Sequence, residues 1–264
     1  MPLYKDQLQR LVKLSSHPKR IVSLVPSLTE LLVDLGLGSR LVGVTKFCVH
    51  PADIRKKVTV VGGTKQVHID KIKALRPDVV ICNQEENTPE MVEALASFTT
   101  VHVSKIISLE DVYELLEQYG DLFGVAQQAS HLAQEIQAAR STFLKQRPRK
   151  IFKVAYFIWQ SPWMVVGGLT FVNTMLSEAG FDNVFANEPR YPSIELEHPS
   201  LQKVDLFLLS SEPFPFGASH QEALQKQFPK KQVALINGEL MSWYGSRLLK
   251  SYDYFTTLYQ QIKA

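Results

Sequence analysis

Cys48 and His50 stand two residues apart in TKFCVHP (45–51), a thiol and an imidazole close enough to invite a chemical role. In an extended segment positions i and i+2 share a face, so the two could meet as a nucleophile and its base, or one could touch a bound metal centre. A role in packing or in lining a cleft stands beside both. A zinc site needs about four ligands at proper spacing, and the sequence offers no second close Cys/His pair. His17, His68, His102, His131, His198 and His220 are scattered and read as surface or packing residues. GLGSR (36–40) follows a helical pattern, and GGTK (62–65) lacks the spacing of a phosphate-binding loop. With no paired carboxylates and no Gly-x-Ser-x-Gly elbow, the sequence gives no positive sign of an enzyme.

A second set of residues suits binding. Just past strand-like runs come Ser27 and Thr29, QEEN (84–87), WQSPWMVVGG (159–168), EPRYP (188–192), SEPFPF (211–216) and SWYGSR (242–247). A ligand with a large flat apolar face would use Trp159, Trp163, Tyr191, Phe214, Trp243 and Tyr244 as walls; alternatively, individual rings cap the ends of sheets. For the set, a ligand cleft is the expectation.

Short apolar runs alternating with amphipathic helical patterns must position these loops, which predicts an α/β fold with largely parallel sheets. Strands are expected at 20–25, 58–61, 78–82, 99–103, 152–158, 205–210 and 232–236. Ser27 with Glu30 fits a capping box for a helix running to Leu35 and stopping at Gly36; Thr88 before Pro89, and Ser108 with Asp111, mark two further helix starts. Ala126, Ala129, Leu132, Ile136, Ala139 and Phe143 recur at helical spacing up to the break at 146–150, which predicts a long central helix able to join two lobes as a rigid strut. LRPDVVICNQEEN (75–87) and LQKVDLFLLSSEPF (201–214) form a faint repeat, each with an aspartate, a strand and then a glutamate. Glu85 and Glu212 therefore leave equivalent strands at the carboxyl edge, where open α/β sheets bind ligands.

At 264 residues and 45% hydrophobic, the chain can bury one large core or two small ones. A net charge of +3 without long runs of one sign gives no reason to expect a nucleic-acid surface. Two cysteines, Cys48 and Cys82, are too few for a disulfide framework, although spacing leaves a single bridge open. No apolar stretch reaches the ~18–20 residues of a membrane span, and MPLYKDQLQR lacks a signal core, so the expectation is a cytosolic chain or one whose leader has been removed.

PKRIVSLVPSLTELLVDLG, VGVTKFCVHP and IDKIKALRPDVVICN, with the long central helix, resemble the helical-backbone metal receptor superfamily, the class III solute-binding proteins of ABC importers. The cobalamin-binding branch is the nearest in pattern. The resemblance implies two Rossmann-like lobes (1–124 and 148–264) joined by a backbone helix (125–147), with a ligand cleft between them. It implies a monomeric substrate-binding protein without an intrinsic cofactor, delivering cobalamin or another metal chelate to an importer permease from the cell envelope. A cytosolic corrinoid- or metal-handling protein, or a siderophore or haem binder, are the alternatives. By position it assigns Phe47, Trp163 and Tyr191 to the ligand's flat face. Thr64 stands where that branch has tryptophan, with Lys65 beside it favouring an anionic chelate, and His50 stands where it has another aromatic, open to axial coordination of cobalt or iron. In SWYGSR, Trp243 and Tyr244 would supply apolar surface and Arg247 a fork of donors; otherwise Arg247 bonds Glu239 and Trp243 packs in the core. Glu90 and Glu197 match the exposed glutamates that meet the permease.

Overall fold

β-branched runs of the first half pair into a parallel sheet in the computed structural model, which describes residues 3–14, 16–149 and 151–263. The chain divides into two compact units: Met1–Ile136 with Tyr244–Arg247, and Gln137–Trp243 with Leu248–Ala264. In the first, β1 (Leu3–Lys5) and β2 (Leu11–Lys13) form an antiparallel hairpin. There follow β3 (Ile21–Ser23), α1 (Pro26–Leu32), β4 (Leu41–Val44), α2 (Ile54–Lys57), β5 (Thr59–Val60), α3 (Ile69–Ala74), β6 (Val79–Asn83), α4 (Pro89–Ala96), β7 (Thr100–Ser104), α5 (Leu109–Phe123) and α6 (Ala126–Gln146). The sheet order is β5-β4-β3-β6-β7, with every pairing parallel. Every residue of β3 and β6 is buried, as strands covered on both faces must be. Growth of the sheet reverses between β3 and β6, the kind of switch point outside which open sheets place ligands.

The second unit carries β8 (Phe152–Trp159), β9 (Trp163–Val165), α7 (Phe171–Ala179), β10 (Phe181–Asn183), β11 (Ser193–Ile194), β12 (Leu206–Ser210), α8 (Ala218–Gln227), β13 (Gln232–Ile236), α9 (Gly238–Ser242) and α10 (Leu248–Lys263). Its order is β11-β9-β8-β12-β13, with β10 also on β8. β8, β10, β12 and β13 are parallel, while β9 pairs antiparallel with β8 and β11 antiparallel with β9. The core gathers around Phe157, Phe185, Phe207 and Leu209.

The faint repeat is structural. β6 and β12 lie 127 residues apart at both ends (206 − 79 and 210 − 83), and each pairs with the first strand of its sheet's parallel core, β3 and β8 respectively. The aspartate before each strand does the same work: Asp78 Oδ2 accepts from the Lys19 and Arg20 amides at 2.8 and 2.9 Å, and Asp205 Oδ2 from the Lys153 amide at 2.9 Å. Each carboxylate thereby fixes the register of the neighbouring strand at its entry.

Helix starts follow the capping logic at two of three places. Thr88 accepts from the Met91 amide, and Ser108 with Asp111 closes a full capping box. Ser108→Ala is expected to cost about 1 kcal/mol, read as a lower urea midpoint at unchanged slope. The box expected at Ser27 and Glu30 does not form: Pro26 takes the first helical position, the N-cap is Val25, and no side chain caps the helix. Gly36, at φ 81, breaks the helical path where a stop was expected, inside a π-type turn. α6 is 21 residues, about 30 Å of helix, and the division between units falls within it. No helix among the described residues is long and apolar enough to cross a membrane.

Candidate functional site

Loops at the carboxyl edge of the first sheet are stitched together by side chains. Asn83, ending β6, accepts from the Glu85 and Glu86 amides at 2.8 and 3.2 Å. Asn87 accepts from the Asn83 amide at 2.9 Å and donates to the Thr64 carbonyl at 2.8 Å, tying the loop after β6 to the loop after β5. Lys65 donates to the Glu85 carbonyl across the same join. Phe47, 50% exposed, lies against Gly63, where a Cβ would come within 3.2 Å of its ring, and the Lys46 ammonium stands 5.0 Å from the ring centroid. Phe47, Thr64, Lys65 and Glu85 thus share one rim, with a half-exposed aromatic face and two cations beside it.

Cys48 lies beneath that rim with no exposed surface, its sulfur 3.1 Å from the Thr29 hydroxyl and 3.2 Å from that of Thr45. Burial pushes its thiol up, and pushes Cys82 up to about 12, so neither is a ready thiolate. Both are free thiols. A thiol reagent at pH 8 is expected to leave both unmodified in the folded protein and to label both in denaturant. Because the folded values are raised, this contribution to stability is whole below the unfolded value near 9 and is lost as pH rises above it. His50 is half-buried. Among the described residues no group of three or more His, Cys, Asp or Glu is placed to hold a metal ion.

Aromatic rings cluster at the equivalent edge of the second sheet. Trp159, 39% exposed at the end of β8, meets Phe214 edge-on at 5.6 Å, and the Phe214 amide bonds the Ile158 carbonyl. Trp163 stacks on Phe216 at 6.0 Å and 7°, and meets Phe157 edge-on at 5.4 Å. His220 lies 5.3 Å from Phe214 and 5.5 Å from Phe216, with Nδ1 accepting from the Gly217 amide. Phe216 and His220 complete the cluster; the alternation of Pro and Phe in SEPFPF was the available signal for the first, and the second carries none. Tyr191 is half-buried, with the Arg190 guanidinium 6.0 Å from its ring centre.

SWYGSR divides between the two units at Trp243. In the second, Trp243 is 8% exposed and its indole donates to Glu212 Oε1 at 2.9 Å, as does the Ser242 hydroxyl, so Glu212 fixes the end of α9. In the first, Gly245 at φ 90 approaches Leu31 so closely that a Cβ would sit 3.2 Å from it. Arg247 forms a two-pronged bond to Glu30 at 2.7 and 2.9 Å, with both side chains about 95% buried. The fork expected at a ligand is engaged by this carboxylate. Tyr244 is buried, and burial pushes its phenol up, with Glu86 adding to the effect and the Ser27 and Ser104 hydroxyls beside it opposing. Glu90 and Glu197 are both exposed, and bonds from its own amide and from Thr88 hold the Glu90 carboxyl below its ordinary value.

Comparison with known proteins adds a lineage to this geometry. A family model described as periplasmic binding protein matches residues 21–234. An uncharacterised ABC transporter substrate-binding lipoprotein of Bacillus subtilis is 30% identical over 67% of this chain and 59% of its own length. A vitamin B12-binding protein of Photorhabdus laumondii is 26% identical over 83% of this chain and 78% of its own. In fold, the chain matches the vitamin B12 binding protein of Vibrio cholerae with a TM-score of 0.77 at 22% identity, over 94% of this chain and 98% of that one.

Proposed function

We infer the function from one premise: the chain belongs to the periplasmic binding protein family. It acts as a substrate-binding protein of an ABC importer, in the cell envelope, and its ligand is a corrinoid or another metal chelate. The observation that carries this reading is the presence, in each unit, of a half-exposed aromatic at the carboxyl edge of the sheet: Phe47 after β4 in the first and Trp159 at the end of β8 in the second. Such faces suit a large flat apolar body, and the polar groups around them suit its periphery. The relative named for vitamin B12, aligned over most of the chain, favours a corrinoid. The buried, raised thiol of Cys48 supports binding over a Cys48–His50 catalytic pair. Glu90 and Glu197 are the permease-facing carboxylates in this reading.

Lys46 and Lys65 beside Phe47, with Thr64 between the loops, favour a second reading in which the chelate is anionic. All three tryptophans lie in or beside the proposed loops of the second unit, so their emission reports occupancy. Titration with cyanocobalamin, dicyanocobinamide and haemin separates the readings. Saturable quenching by a corrinoid at micromolar concentration or below supports the first; response to haemin alone transfers the site to the second; and silence toward all three rejects both for these ligands. A cobalt-band shift lost in His50→Ala would put His50 on the metal.

A further inference from the structure

In the second unit, the ring that presents Trp159 is itself held by a histidine. Phe214 meets Trp159 edge-on at 5.6 Å and 71°. His220, in the first turn of α8, meets Phe214 edge-on at 5.3 Å and 81° and Phe216 at 5.5 Å and 89°, so a chain of rings runs from α8 to the end of β8. The segment carrying Phe214 has few other ties. Pro213 and Pro215 lack an amide hydrogen, and of the three N–H groups in 213–217 that of Phe216 closes on the Phe214 carbonyl at 2.9 Å, inside the segment. The other two reach outward: the Phe214 amide to the Ile158 carbonyl at 3.2 Å, and the Gly217 amide to His220 Nδ1 at 3.0 Å. The His220 amide donates to the Gly217 carbonyl at 3.0 Å in return, which makes the join to α8 reciprocal.

A ring nitrogen that accepts from a backbone N–H has its lone pair in that bond, so His220 stands as the Nε2–H tautomer. Protonation of Nδ1 turns the acceptor into a second donor facing the Gly217 N–H, and the join cannot survive it. The ring is half-buried, so solvent protons reach it. Among the described residues no carboxylate or cation is paired with it: Glu212, on the same loop, accepts from the Ser242 hydroxyl and the Trp243 indole, and Glu222 and Lys226 of α8 are exposed. We propose that His220 is a positioning residue for the ligand face. Neutral, it fixes Phe214 and through it Trp159; protonated, it frees that segment, so the site holds its ligand at neutral pH and yields it on acidification. The proposal rests on the reading of Trp159 as ligand surface. The linkage is reciprocal: a ligand seated on the fixed ring favours the neutral imidazole.

Two readouts separate this proposal from the reading beneath it. Without ligand, the indole ¹⁵N–¹H resonance of Trp159, assigned with Trp159→Phe, is followed from about pH 8 to 5, the interval in which histidines change charge. It is expected to move in the unaltered protein and to stay in place in His220→Gln, because glutamine at the third helical position reaches the N-cap amide without titrating. With cyanocobalamin, calorimetry is expected to give an affinity about fivefold weaker at the acid end than at the alkaline end, the size of one lost cap bond. His220→Gln should be flat over the same interval. His220→Phe keeps a ring beside Phe214 but has no acceptor, and should bind about fivefold more weakly at the alkaline end with no further loss at the acid end. A Trp159 resonance indifferent to pH, or a pH response of equal size in His220→Gln, overturns the proposal whether or not a corrinoid binds. A resonance that follows His220 in a protein that binds no corrinoid at any pH supports the positioning role and removes the corrinoid reading instead.

Discussion

Arg247→Ala is expected to lower the unfolding free energy by about 3–5 kcal/mol, among the largest effects of any single substitution in this chain. The size comes from what remains. Glu30 is 5% exposed on a helix whose buried residues are otherwise apolar or small, and without the guanidinium its carboxylate would stay in the interior with its main cation gone. Glu30→Ala is expected to cost a similar amount by stranding the arginine. The double variant Glu30→Leu with Arg247→Met should recover much of the loss, because an apolar pair of similar volume avoids the desolvation of both charges. Urea unfolding of the four proteins measures these losses and the recovery. A loss under about 1 kcal/mol for both single variants would mean that water reaches the pair and screens it.

Trp159→Ala is expected to weaken corrinoid binding by about 10- to 100-fold, the range of a central aromatic anchor. The ring is 39% exposed and is held edge-on by Phe214, so it is presented in one orientation and pays little entropy on contact. Phe47→Ala should cost less, about fivefold, because a half-exposed phenylalanine has only part of its surface left to bury. Leu11→Ala, 57% exposed on the opening hairpin, serves as the control with no effect expected. Calorimetry is the appropriate readout, since Trp159→Ala removes a fluorescent reporter. Unaltered affinity in both Trp159→Ala and Phe47→Ala would remove these edges as the ligand surface.

The fold was largely readable because most of its parallel strands announce themselves as short apolar runs. The run 232–236 coincides with β13, and six other expected strands overlap β3, β5, β6, β7, β8 and β12 within one or two residues at each end. β4 was missed because Gly43 interrupts LVGV. The glycine is required there, since a Cβ would sit 3.0 Å from Leu75 and Val22. β9, β10 and β11 are only two or three residues long, too short to show a period. The rim was legible as residue types but not as contacts: nothing near Asn87 in sequence says that it reaches Thr64, 23 residues away. Glu30 shows the limit most clearly. Its spacing from Ser27 imitates a capping box, while its partner lies 217 residues downstream, and the one local hint was an acid among Leu28, Leu31 and Leu32.

That long reach has a consequence for how the protein is made. The first unit spans the opening 136 residues, yet it includes Tyr244–Arg247, which follow only after 107 more (243 − 136). At about 5–20 residues per second, a ribosome takes roughly 5–20 s to cover that distance. Throughout it the nascent sheet exists with the Glu30 carboxylate lacking its guanidinium and the surface of Leu31 lacking the backbone of Gly245. The half of the molecule that emerges first therefore stays incomplete until residue 247 has been added, and a chain released anywhere before that point forfeits the interior of its beginning along with its end.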